Sequence, residues 1–378
     1  MKKLISLVLA MVMVLSLAAR SGSGDSGTSA AGPGAGSGDT GTADPSAVTV
    51  TGKDSAGEDI DVEVPYKPER VVVLDLANLD ILDNLGLGEC IVGVPTITLP
   101  YLQSYNDGLP IVGSVKTPDL EAVMACEPDL ILMGGRMAEY MESLGEIAPV
   151  LRLTTVSDDG LVEAIRANAK TVGTIFGETD QVDALLAQYD ARIATLAEFA
   201  QGKTCVLGMS TSGSFNLLGN DGRCSLIVNE IGFDNIGADA ATARTSGGSG
   251  SGESGGRSGG GHGESSDDSG GHGHGGSGTS DASTGGESST PTHGNEVSFE
   301  AIVSLNPDYI FVMDRDSAIG TNGAQMAQEI MENELIMKTD AYQNGNLVIL
   351  ENPGIWYLAE GGITSLGIML EDMENVLN

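Results

Sequence analysis

A small set of residues in this chain has the type and placement to do chemistry: Arg136, Arg223, Arg315, Tyr357, Trp356 and His293. Each arginine closes a segment that reads as a strand, in DLILMGGR, SFNLLGNDGR and DYIFVMDR. Tyr357 and Trp356 lie in GIWYLAEGG, just after the strand-like NLVILE, and His293 lies in THGNE. Guanidinium stays charged at any relevant pH and presents a planar fork of donors. Three of them, with no evident acidic partner, imply an anionic ligand. Tyrosine and histidine add the ability to ligate a metal. Trp356, the single tryptophan, would offer a ligand an apolar face.

A repeat explains how such residues could be brought together. LEAVMACEPDLILMGGR at 120–136 and FEAIVSLNPDYIFVMDR at 299–315 share Glu121/Glu300, Ala122/Ala301, Pro128/Pro307, Asp129/Asp308, Ile131/Ile310 and Arg136/Arg315, always at the same interval. Each copy reads as one helix feeding one buried parallel strand. Asp119 and Ser298 occupy equivalent N-cap positions, and the prolines end the helices. Arg136 and Arg315 then fall just past the carboxyl ends of their strands, where open α/β sheets bind ligands. Glu121 and Glu300 sit in the first helical turns, a favourable place for a carboxylate. Singly, an arginine after a strand is commonly a surface residue. Two at repeat-equivalent positions form a pattern.

Around these copies, strands alternate with helices in both halves, which predicts an α/β fold of two Rossmann-like lobes. Residues 48–178 make the N-terminal lobe and 202–378 the C-terminal lobe. Residues 179–201 carry Val182, Leu185, Leu186, Tyr189, Ile193 and Leu196 at helical spacing. This single long helix joins the lobes and leaves a ligand cleft between them. Residues 246–290 collapse into Gly, Ser, Asp and His, a composition that forms no core, so a disordered insertion is expected.

The chain of 378 residues has 18 Lys+Arg against 53 Asp+Glu and a net charge of −35, which disfavours nucleic acid and anionic membrane surfaces as partners. Residues 1–19 have a basic start and an apolar run, as in a secretory signal. Residues 20–47 read as a flexible linker. Arg20 stands where a lipoprotein would have its lipid-bearing cysteine, so lipid anchoring there is not expected; ordinary cleavage or an uncleaved anchor would replace it. The protein is thus read as exported, to the outer face of the cell membrane or the periplasm. Cys90, Cys126, Cys205 and Cys224 match no zinc motif, and one disulfide per lobe and free buried thiols are both open. No nucleophile–base motif or phosphate loop supports an enzyme.

At RVVVLDLANLDILDNLG, VGSVKTPDLEAVMACEPDLILMGGR, THGNEVSFEAIVSLNPDYIFVMDRDSAIG and WYLAEGG, the chain resembles the iron–siderophore substrate-binding proteins of ABC importers, in their catecholate-binding branch. The resemblance runs from about Val48 to the C-terminus, outside 246–290. It implies a monomeric, non-enzymatic receptor with no intrinsic cofactor, whose ligand is an Fe(III)-siderophore delivered to an importer permease and, through it, to the ATPase. It further implies that Arg136, Arg223 and Arg315 bind catecholate oxygens. Tyr357 and His293 would complete the iron's coordination, and Glu121 and Glu300 would dock the permease. Two alternatives stand beside this one. The first is a haem or corrinoid receptor on the same fold. The second is a metal-buffering surface protein using His262, His272 and His274 of the insertion.

Overall fold

The computed structural model describes residues 45–155, 160–242, 295–296, 299–321 and 327–377. The signal segment, most of the 20–47 linker, the 246–290 insertion, Ser298 and His293 lie outside the described residues.

The chain enters through a hairpin, β1 (Ala47–Lys53) and β2 (Asp59–Pro65), paired from Ala47↔Pro65 to Lys53↔Asp59. Asp54 closes its turn, accepting from the backbone N–H groups of Ala56 (2.8 Å) and Glu58 (2.9 Å). The first sheet is parallel throughout, in the order β4-β3-β5-β6, with β3 at Val71–Val73, β4 at Ile91–Gly93, β5 at Leu130–Met133 and β6 at Val150–Arg152. Central strands VVV and LILM are buried along their whole length, as strands covered on both faces must be. Helix α1 (Leu76–Asn84) follows β3, and α2 (Leu120–Ala125) precedes β5. Asp75 caps α1, and Asp119 caps α2 by accepting from Ala122 N.

Helix α3 (Leu161–Phe176) ends at Gly177, whose φ of 77° is the left-handed stop typical of a helix C-terminus. Helix α4 (Thr179–Ala200) follows at once; its 22 residues extend about 33 Å. Val182, Leu186, Tyr189 and Leu196 are buried on one face of α4, as their spacing predicts, and Leu185 and Ile193 pack at its margin.

The second sheet is mixed, in the order β10-β8-β7-β11-β12. β7 (Thr204–Thr211) and β8 (Ser214–Leu217) form an antiparallel hairpin. β11 (Tyr309–Asp314) and β12 (Leu347–Ile349) lie parallel to β7, β10 (Asn295–Glu296) extends the β8 edge, and β9 (Asp234–Asn235) pairs with the start of β7. Short helices α5 (Ser225–Asn229), α6 (Phe299–Leu305), α7 (Arg315–Ala318) and α8 (Pro353–Leu358) flank this sheet. The last helix, α9 (Ile363–Glu374), leaves it and packs against α1 of the first lobe and against α4.

The repeated Pro-Asp does the same job in both lobes. Asp129 accepts from the N–H groups of Glu69 (2.8 Å) and Arg70 (3.0 Å) at the entry to β3. Asp308 accepts from Thr204 N (2.8 Å) and Thr204 Oγ1 (2.9 Å) at the entry to β7. Two residues earlier, Glu127 (φ 46°) and Asn306 (φ 44°) take the left-handed conformation that turns the helix into the strand. The four cysteines are free thiols, with Cys126, Cys205 and Cys224 buried.

Candidate functional site

Arg136 leaves β5 through Gly134 and Gly135, and Arg315 is the first residue of α7 at the end of β11. Arg223 lies between β8 and α5, just before Cys224, which has φ 64°. All three converge on Tyr357 of α8. Arg136 Nη2 donates to the Tyr357 carbonyl oxygen, and Arg223 Nη1 donates to the same oxygen at 2.8 Å. Arg315 Nε donates to the Tyr357 hydroxyl at 3.0 Å, while its Nη1 donates to Thr211 Oγ1 at 3.2 Å. The guanidinium carbons lie 5.5 Å (Arg136), 4.1 Å (Arg223) and 5.5 Å (Arg315) from the ring centroid, within cation–π range. One arginine thus comes from the first sheet and two come from the second. Tyr357 is only 1% exposed beneath them.

Two expectations need correction. Trp356 offers a ligand no face here. It is fully buried (0% exposed), and its indole N–H donates to Asp372 Oδ2 at 2.8 Å. The hydrophobic ring belongs to the core, and Asp372 satisfies its one polar atom. The arginines, in turn, do have acidic neighbours. Asp316 Oδ1 lies 3.6 Å from Arg315 Nη1. The Asp75 carboxyl is pushed up by burial, with Arg136 and two backbone N–H groups opposing that rise. Glu360 is pushed up to about 7 by burial, against the pull of Arg223, the Cys224 N–H and Arg136. Arg223 is itself pushed down, first by burial and then by the like charge of Arg136. Asp75 and Glu360 belong to segments quoted for other features, LDLANLDILD and WYLAEGG. Adjacency in sequence does not show that these two carboxylates, far apart in the chain, both act on Arg136, or that Glu360 also acts on Arg223.

The glycines of WYLAEGG explain how the segment reaches the first lobe. A Cβ on Gly361 would fall 2.1 Å from Thr155 Cγ2, and one on Gly362 would fall 2.3 Å from Asp80 Oδ2. Only glycine permits this approach. Arg152, 8% exposed, helps to seat Arg136's loop by donating to the carbonyls of Asp54 and Gly135. Glu121 and Glu300 are exposed, in the first turns of α2 and α6.

With two α/β lobes and a polar cluster drawn from both, the chain belongs to the periplasmic binding protein family, whose model matches residues 71–254 and 277–353. Over 339 residues it is 29% identical to the petrobactin-binding protein YclQ of Bacillus subtilis, covering 86% of this chain and 90% of YclQ. The crystal structure of YclQ superposes with a TM-score of 0.66 at 28% identity, over 88% of this chain and 99% of YclQ. The periplasmic catecholate-siderophore binding protein VctP of Vibrio cholerae gives a TM-score of 0.66 at 27% identity, over 87% of this chain and 100% of VctP. These findings agree with the resemblance read from the motifs. Among the described residues no helix is long and apolar enough to cross a membrane.

Proposed function

We propose that this protein is an exported receptor that captures a ferric catecholate siderophore and delivers it to an ABC importer permease. The observation that carries this reading is the convergence of Arg136, Arg223 and Arg315 on Tyr357. A ferric tris-catecholate carries a charge of about −3, and its attraction to guanidinium strengthens as a closing cleft excludes water. The parked arginines already donate to two oxygens of Tyr357, and catecholate oxygens are acceptors of the same kind, so exchange conserves the hydrogen bonds. Fe(III) is hard and favours oxygen, which suits the Tyr357 phenolate when the siderophore leaves a coordination position vacant. His293 is proposed as a further ligand. Residues 48–178 and 202–378 are proposed as the lobes, with 179–201 between them, and Glu121 and Glu300 as the permease contacts. The relatives named for petrobactin and for catecholate siderophores support the ligand class.

A panel titration tests it. Purified protein is titrated with ferric petrobactin, a ferric tris-catecholate, a ferric hydroxamate and haem. The catecholate ligands should bind tightest. Tighter binding of hydroxamate or haem would overturn the ligand class and leave the fold unaffected.

A further inference from the structure

Helix α8, which carries Tyr357, is six residues long. A helix so short has no stability of its own in water and takes its orientation from tertiary contacts. One carboxylate holds it at two points. Asp372 of α9, 3% exposed, accepts from Trp356 Nε1 (2.8 Å) and Asn352 N (3.1 Å) through Oδ2, and from Asn352 Nδ2 (2.6 Å) through Oδ1. Asn352 is the N-cap of α8, and Trp356 lies about one turn further on. Fixing both sets the rotation of the helix about its axis. Tyr357 is the next residue, about 100° around.

Helix α9 is a fixed platform for this clamp. At its N-terminus, Asp80 of the first lobe accepts from Thr364 N (2.9 Å), Ser365 N (3.0 Å), Ser365 Oγ (3.0 Å), Tyr101 Oη (2.6 Å) and Asn84 Nδ2 (2.7 Å). Near its C-terminus, Glu374 pairs with Arg192 of α4 through two bonds of 2.6 and 2.9 Å, and Arg192 also donates to Gly367 O at 3.0 Å. The first lobe and the long helix thus set α9, α9 sets α8, and α8 aims the tyrosine.

We infer that Asp372, acting through Trp356 and Asn352, is a positioning residue that aims Tyr357 at the ligand. This rests on the proposed role of Tyr357 above. An ordinary stabilising contact would weaken every ligand alike when removed. A residue that aims Tyr357 should matter most for ligands that need the phenolate.

The test compares a ferric bis-catecholate, which leaves iron positions open, with a ferric tris-catecholate, which does not. Wild type, Tyr357→Phe, Asp372→Asn and Trp356→Phe are titrated with both, and the visible charge-transfer band of the bis-catecholate complex is recorded. Asp372→Asn keeps the size and one acceptor, and Trp356→Phe removes the N–H, so at least one of the two should fold, as judged by circular dichroism. Bis-catecholate affinity should fall about tenfold in either variant, the effect of losing a hydrogen bond to a charged group, with tris-catecholate affinity within about threefold. The charge-transfer band should move in the direction seen for Tyr357→Phe. Equal losses for both ligands, or none, in variants that fold would overturn the inference. If Tyr357→Phe discriminates between the ligands while the other variants do not, the inference alone falls. If Tyr357→Phe binds both as wild type does, direct ligation falls and takes the inference with it.

Discussion

Three guanidiniums around one tyrosine repel one another, and the first lobe contributes only one of them. That repulsion is offset by the Tyr357 oxygens, by the ring face and by Asp75, Asp316 and Glu360. An anionic ligand would relieve the same repulsion. Each single change of Arg136, Arg223 or Arg315 to Ala should therefore weaken ferric catecholate binding by about 1.5–3 kcal/mol, the range for a hydrogen bond to a charged group. Calorimetry showing wild-type affinity in a double Arg→Ala protein would remove the site. Glu360 permits a second check. Its carboxyl is raised from the ordinary 4.5 to about 7. The folded protein therefore holds a proton that the unfolded chain loses, and this group's contribution to stability is present below about 4.5 and lost as pH rises through about 7. Glu360→Gln keeps an acceptor for the Cys224 N–H and removes the charge. Its thermal midpoint relative to wild type should rise between about pH 5 and about pH 8. A difference that stays flat with pH would show that Glu360 ionises freely.

At the scale of elements, the repeat is a device for starting strands. Asp129 and Asp308 both hold backbone N–H groups at the entry to the neighbouring central strand. Asp129→Ala and Asp308→Ala should each lower unfolding free energy by about 1–2 kcal/mol, since a charge-assisted bond is lost at a site that is half-buried for Asp129 and exposed for Asp308. Denaturant titrations should show the two changes adding, because they lie in different lobes and share no partner. A negligible effect in either lobe would make that Asp a passenger of the repeat. Ligand affinity should change little in both variants.

For the whole molecule, the acidic surface matters more than any single charge. A net charge of −35 suits a partner that presents cations. Glu121 and Glu300 place one exposed carboxylate in a matching first turn on each lobe, as a permease with two related halves would require. Arginine partners would read them bidentately. Changing both to Ala should leave siderophore affinity intact and cost about 0.3–1 kcal/mol of stability per site. Uptake should be abolished in cells that depend on this receptor. Normal uptake at matched protein levels would limit the glutamates to their own helices.

Much of this architecture is legible from residue types, because its signals are local. A valine triplet, an N-cap Asp and a left-handed glycine each act within a few residues, so β3, the Asp119 cap of α2 and the end of α3 follow directly from the sequence. The repeat placed Arg136 and Arg315 at corresponding strand ends. The burial of Trp356 is not legible in the sequence, because its partner, Asp372, lies a helix away and no periodicity links them. The approach of Asp75 and Glu360 to Arg136, and the anchoring of α9 by Asp80, are hidden for the same reason. Burial and the meeting of distant segments are properties of the packed whole, and α9 returning to the first lobe creates them. Chain neighbours dictate helix and strand; only close packing of α1, α8 and α9 decides which charges share an environment, and that sharing is what the proposed site is built from.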